Sequence, residues 1–246
     1  MRSRFHPLGD TLFSYRAFLV HMISESDLEG KDIVNPTSTV ADGAVRGVFV
    51  VFEGIDGSGK STISKRVFDR LDLELPGRVV LTSEPSDSWI GDCVRRANAE
   101  GVSGQAEALL FVADRAEHTR QIQKWLQEGK VVICDRYFYS TLAYQGAALK
   151  QTMGAKNAVE WLQKVNEPVV ISPDLTLLLT IKVGAALERV QDRGKRTKFE
   201  RLDYLMDVDL IYRMLAMEDP DVCTLDASRP SEEVVQSALT LIRNKL

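Results

Sequence analysis

The stretch VFVVFEGIDGSGKSTISKR, residues 48–66, passes from an apolar run through a glycine-rich loop into a polar, helix-forming segment. It restricts the fold more than any other part of the chain. Val48, Phe49, Val50, Val51 and Phe52 are consecutive apolar residues, the pattern of a strand covered on both faces. The spacing G-x-x-x-x-G-K-S then follows, with Gly54, Gly59, Lys60 and Ser61 at the defining positions. Such a loop turns successive backbone N–H groups inward, where they meet phosphate oxygens. Gly54, Gly57 and Gly59 allow turns that a side chain would block. Lys60 supplies charge for the β- and γ-phosphates, the Ser61 hydroxyl suits Mg²⁺, and the helix beginning near Gly59 adds the positive end of its dipole. A chance match inside an ordinary turn is the bland alternative. The apolar strand in front of the loop is the context the motif needs, so the loop is read as binding a nucleotide.

Beyond Gly47 the chain alternates β-rich runs with helical stretches. Strands are expected at 48–53, 78–82, 131–134, 175–181 and 222–225. Helices are expected at 60–71, 90–99, 105–128, 140–149, 155–164, 185–191, 201–217 and 231–245. The alternation predicts an α/β fold in three layers, α/β/α, with a five-stranded parallel sheet and its ligands at the carboxyl ends of the strands. Residues 47–246 read as one domain and residues 1–46 as an N-terminal extension. Arg2, Arg4 and Arg16 flank a short apolar patch there, a composition that fits either a plain extension or an organelle-targeting presequence. No apolar run approaches the ~20 residues of a membrane span. The net charge of −4 gives no general attraction to nucleic acid. Three separated cysteines without a C-x-x-C pair, and three histidines, make no zinc set and suit a reducing, cytoplasmic setting.

Three further segments carry chemistry. In EALLFVADRAEHTRQIQKW, Leu109, Val112, Ala113 and Ala116 form one apolar stripe at ~100° per residue, expected as the core face. Phe111 lies nearly opposite, with Arg115 one turn on and His118 after it. Two readings stand: an aromatic and an arginine gripping a planar polar ligand, or a helix packed on two sides with Phe111 in a second core or a subunit contact. In VVICDRYFYSTLAYQGAAL, Asp135 and Arg136 close an apolar strand, where a carboxylate serves a metal or acceptor and an arginine clamps phosphate. Ser140, Tyr144 and Gln145 follow as a polar cluster, read either as ligand contacts or as satisfied surface groups. In ERVQDRGKRTKFERLDYL, Arg189, Arg193, Lys195, Arg196, Lys198 and Arg201 face only Asp192 and Glu200. This basic segment, about 189–201 and broken by Gly194, reads as a short lid over polyphosphate rather than a solvated face.

Taken together, FEGIDGSGKST, LLFVADRAEH, VVICDRYFYSTLAYQG and TLDAS resemble the blocks of the thymidylate kinase family, from about Gly47 to the C-terminus. The resemblance implies Mg²⁺-dependent transfer of the γ-phosphoryl group of ATP to dTMP by a homodimer. It implies that Gly54, Ile55, Asp56, Gly57, Ser58, Gly59, Lys60, Ser61 and Thr62 hold the ATP phosphates, with Ser61 and Asp135 serving the metal. Asp56 resembles the residue at the acceptor's 3′-hydroxyl, Phe111 the one stacking on thymine, and Arg115 the one bonding a thymine carbonyl. Arg136 resembles the acceptor-phosphate arginine, Tyr144 the ring that excludes a ribose 2′-hydroxyl, and Gln145 a residue near the base, with Ser140 beside them. Residues 226–228 are implied near adenine, with Arg189 or Arg193 stacking on it. Some members carry a catalytic arginine where this chain has Gly57, so the cation is expected from the lid, from Arg193 or Arg196. Two departures are Ser83, where many members have arginine before Glu84-Pro85, and a lid ending in Thr197-Lys198-Phe199-Glu200. They keep two alternatives in view: a kinase for another deoxynucleotide or a nucleoside, and a nucleotide-binding sensor with weak catalysis.

Overall fold

The computed structural model describes residues 46–191 and 202–246; the expectations for the N-terminal extension up to residue 45 and for Arg193 and Arg196 lie outside them. In chain order the elements are β1 (Val48–Glu53), α1 (Lys60–Glu74), β2 (Val79–Ser83), α2 (Trp89–Glu100), α3 (Gly104–Gln127) and β3 (Val131–Asp135). Then come α4 (Phe138–Met153), α5 (Ala155–Asn166), a short 3₁₀ turn (Glu167–Val169) and β4 (Leu175–Thr180). α6 (Val183–Gln191), α7 (Leu202–Glu218), β5 (Val222–Asp226) and α8 (Ser231–Arg243) complete the described chain. Every expected strand is present, with ends displaced by at most a residue, and the sheet is parallel throughout in the order β2-β3-β1-β4-β5.

β1 is the central strand, and its alternation divides the core. Val48, Val50 and Phe52 face one apolar cluster with Ile63, Val67 and Leu71 of α1; Phe49 and Val51 face another with Ala108 and Ile122 of α3. The sheet is thus covered on both sides, which is why its strands are apolar without alternation. The P-loop follows β1 and Arg136 follows β3, its neighbour, so both fall at one carboxyl edge. No helix among the described residues is long and apolar enough to cross a membrane.

One helix face differs from expectation. Leu109 is 48% exposed, and Ala113 and Ala116 are exposed with it, while α3 buries Ala108, Asp114, Arg115, His118 and Ile122. The apolar stripe therefore points outward, and the buried face is largely polar. Burying these groups is tolerable because each finds a hydrogen-bonding partner. Asp114 accepts from the Ser86 backbone N–H at 2.7 Å and from Ser88 Oγ at 3.1 Å, which ties α3 to the loop after β2.

Candidate functional site

The glycine-rich loop adopts positive φ at Gly54 (139°), Gly57 (84°) and Gly59 (94°), conformations that a side chain would strain. At Gly57 an added Cβ would also meet the Ala186 backbone oxygen at 2.1 Å, so no side chain fits there. Lys60 lies buried at the loop's centre and donates to the Ile55 carbonyl at 3.0 Å. Burial and the neighbouring Arg136 charge push its pKa down to about 8, against the opposing pull of Asp56, Asp135 and Glu53. Ser61 and Thr62 are exposed on the first turn of α1.

Asp56 and Gly57 are adjacent in the loop and line different recesses. Gly57, Ser58, Gly59 and Thr62 border one, together with Arg189 and Ala227. Arg189 donates to the Ala227 carbonyl at 3.1 Å, which brings the end of α6 to the turn after β5. The other recess, a cavity of about 160 Å³, is bordered by Asp56, Phe111, Arg115, Arg136, Tyr144 and Asn98, among others. Ser140 and Gln145 border it too. Phe111 belongs to neither hydrophobic cluster and is only half-buried, so it is not a second core.

Arg136 is the described non-glycine residue with a left-handed backbone, at φ 72°. Such strain costs of order 1–3 kcal/mol and survives only where its surroundings hold it. Here its N–H donates to the Phe52 carbonyl at 2.9 Å, its guanidinium pairs with Asp56 and donates to Ser140 Oγ, and Tyr144 lies under it at 4.9 Å. Tyr144 also accepts from the Asp56 N–H at 2.8 Å, so ring, carboxylate and guanidinium brace one another. Burial alone would raise the Asp56 pKa, but the Arg136 and Lys60 charges outweigh it and hold the carboxyl below its ordinary value.

Arg115 is fully buried. Its Nε donates to Glu84 Oε2 at 3.0 Å and its Nη2 to Thr141 Oγ1 at 2.9 Å, while Nη1 donates to Asn166 Oδ1. His118 lies 3.1 Å from the other Glu84 oxygen and 2.7 Å from Thr82 Oγ1. Gln145 Nε2 donates to Glu107 Oε1 at 3.1 Å. Asp135 does not border the cavity; its Oδ1 is buried without a partner among the described residues. Arg95 and Arg96 lie on α2 after Ser83, and neither borders the cavity. Arg95 donates to the Ser86 carbonyl at 2.9 Å, and exposed Arg96 pairs with Glu100.

Several site residues were not anticipated. Glu53 closes β1 fully buried and accepts from the Tyr137 and Ser140 backbone N–H groups, Ser140 Oγ and Tyr212 Oη. Burial raises its pKa, and those hydrogen bonds with the Arg136 charge only partly offset it. Asn98, Glu107, Asn166 and Tyr212 were missed as well. The signal available for Glu53 was a charge ending an otherwise apolar strand.

Known proteins are similar to this chain. The family model described as "Thymidylate kinase" matches residues 52–238. A probable thymidylate kinase of Methanococcoides burtonii is 40% identical over 200 residues, covering 80% of this chain and 97% of that relative. One from Pyrococcus horikoshii is also 40% identical, over 211 residues, covering 82% and 98%. The solved thymidylate kinase of Candida albicans superposes with a TM-score of 0.68 at 26% identity, covering 82% of this chain and 93% of that one. With a family model spanning most of its length and relatives this similar, the chain belongs to the thymidylate kinase family.

Proposed function

We propose that this chain transfers the γ-phosphoryl group of ATP to dTMP, yielding dTDP and ADP. The observation that carries the reading is the division of two recesses by one loop, with Asp56 on one side and Gly57 on the other. A donor in the Gly57–Thr62 recess and an acceptor in the Phe111–Arg136 recess then meet at the loop, as in-line transfer requires. On this reading Lys60 and the loop N–H groups hold the donor phosphates, and Arg136 holds the acceptor phosphate. Phe111 stacks on the base, Arg115 donates to it, and Tyr144 crowds the sugar. Mg²⁺ enters with ATP and neutralises phosphate charge when bound. The exposed Ser61 hydroxyl and the unpartnered Asp135 oxygen are the donors that fit it. Gly57 has no room for a side chain, so the remaining cation is assigned to Arg193 or Arg196 of the lid, outside the described residues.

A coupled assay with dTMP, dUMP, dCMP, AMP, GMP and thymidine tests this directly. The highest kcat/KM is expected for dTMP; faster turnover of dCMP, AMP, GMP or thymidine overturns it. Thymidine belongs in the panel because Ser83 stands where many family members carry an arginine, and neither Arg95 nor Arg96 borders the cavity in its place. The Candida albicans relative is itself described as having broad substrate specificity.

The same reading includes a homodimer. It is supported by the outward apolar stripe of α3, where Leu109 is 48% exposed beside Ala113 and Ala116. Light scattering is expected to give the mass of two chains for the wild type and of one for Leu109→Glu. A variant that remains dimeric places the contact elsewhere.

A further inference from the structure

Glu53 ends the central strand, fully buried. A carboxylate in that position is costly unless its oxygens are well supplied with donors. It has four of them. Oε1 accepts the backbone N–H of Tyr137 at 2.9 Å and of Ser140 at 3.1 Å. Oε2 accepts Ser140 Oγ at 2.6 Å and Tyr212 Oη at 2.9 Å. Four donors fill the lone pairs that a carboxylate offers. Glu53 borders neither recess, so whatever it does for a ligand it does through another residue.

Those hydrogen bonds converge on Arg136 along two arms. The first is backbone. The Tyr137 N–H belongs to the peptide that follows Arg136, and Glu53 Oε1 holds it; the N–H of Arg136 itself donates to the Phe52 carbonyl at 2.9 Å. Two consecutive residues of β1 therefore fix the chain on either side of the left-handed residue, whose φ of 72° persists only where its surroundings hold it. The second arm is side chain. Arg136 Nη1 donates to Ser140 Oγ at 3.2 Å, and the Ser140 hydroxyl gives its single proton to Glu53 Oε2. One hydroxyl thus links carboxylate to guanidinium, and Tyr212 Oη steadies it from α7 at 2.8 Å. A plainer role is a cap for α4, because Tyr137 precedes that helix and Ser140 lies in its first turn. A cap accounts for Oε1 alone and leaves the Oε2 arm to Arg136 unexplained.

We propose that Glu53 is a positioning residue for the acceptor phosphate, fixing both the backbone and the guanidinium of Arg136 so that the arginine stands ready to clamp it. This rests on the dTMP kinase reading above, in which Arg136 holds that phosphate, and deepens it by naming the group that aims the arginine. Side chains that touch substrate work only when a supporting shell locks their geometry, and a buried hydrogen-bonded carboxylate is well suited to do so.

The test is a double-mutant cycle on the full chain, read as calorimetric dissociation constants for dTMP and for thymidine, which has no phosphate. Arg136→Ala is expected to weaken dTMP roughly 10- to 100-fold, the size of a hydrogen bond to a charged group, and to leave thymidine within about twofold. Glu53→Gln fills the same space, but its amide nitrogen cannot accept, so one arm is cut. It is expected to weaken dTMP about 10-fold with thymidine again within about twofold. Added to Arg136→Ala, it changes dTMP affinity by less than about twofold, because the arginine it served is gone. Ser140→Ala is the second variant and cuts only the side-chain arm; dTMP weakens about threefold, and the effect likewise vanishes beside Arg136→Ala. A cap without the positioning role weakens dTMP and thymidine alike in Glu53→Gln, and that result overturns the proposal. So does a loss that persists in the Arg136→Ala background, or wild-type affinity for dTMP in either variant. Those failures leave Arg136 as the phosphate ligand. An Arg136→Ala variant that binds dTMP as the wild type does sinks the parent reading, and this proposal with it.

Discussion

Replacing Arg115 with leucine is expected to lower the unfolding midpoint by roughly 6–20 °C. The reasoning starts from burial: Arg115 and Glu84 have side chains 1% and 2% exposed, and they form a paired hydrogen-bonded contact. Removing one member of a buried ion pair leaves the other charge uncompensated, which costs about 3–5 kcal/mol. In a chain of this length each kcal/mol is worth about 2–4 °C. The loss extends beyond Glu84, because Asn166 Oδ1, Thr141 Oγ1 and the Tyr137 carbonyl all accept from the same guanidinium. Adding Glu84→Gln to Arg115→Leu removes the stranded carboxylate, so the double variant is expected to melt above the single one. Scanning calorimetry of wild type, single and double variants decides the matter. A single variant within 2 °C of wild type shows that the network is not a stabilising unit.

Arg115 also shows where reading the residues was easy and where it failed. β1 and the loop after it were legible because five apolar residues and a fixed glycine spacing admit few alternatives. Arg136 was legible because a charged pair ending an apolar strand falls at the edge where parallel sheets bind ligands. The inner face of α3 was not. Periodicity counts apolar side chains, and it assigned Leu109, Val112, Ala113 and Ala116 to the core. The helix instead buries Asp114, Arg115 and His118, whose partners come from the loop after β2, from α4 and from the end of α5. Those partners lie between 22 and 51 residues away in sequence for Arg115, so nothing local announces them. Asn98 escaped for the opposite reason: a polar residue in the last turn of a helix looks like surface. Glu53 was passed over because the loop beside it carried the stronger signal. The ends of α4 were also placed short: the helix begins at Phe138, where the Glu53 carboxylate accepts the Tyr137 and Ser140 N–H groups at its start.

Lys60→Met is expected to separate stability from catalysis in the same protein. Lys60 is 5% exposed, and its pKa is pushed down from 10.5 to about 8, first by burial and then by Arg136. A depression of that size means that holding the charge in the loop costs roughly 3 kcal/mol. Below pH 8 the folded and unfolded chains both carry the proton, and the cost is fully present. Between pH 8 and 10.5 the folded chain releases its proton before the unfolded one does, so this contribution to instability fades as pH rises. Methionine fills similar space without charge, so Lys60→Met is expected to melt at or above the wild-type midpoint at pH 7, by a margin that shrinks above pH 8. Turnover moves the other way. Transfer spreads negative charge over the moving phosphoryl group, and a preorganised donor aimed there is worth about 10²–10³ in kcat. The variant is expected to lose that much with dTMP as acceptor, while KM for dTMP, which the proposed function assigns to the other recess, changes little. A variant that melts lower and keeps its kcat would show that Lys60 supports the loop and takes no part in the transfer. A loss of kcat with a raised midpoint means that this loop is strained toward a polyphosphate and stays so until one arrives.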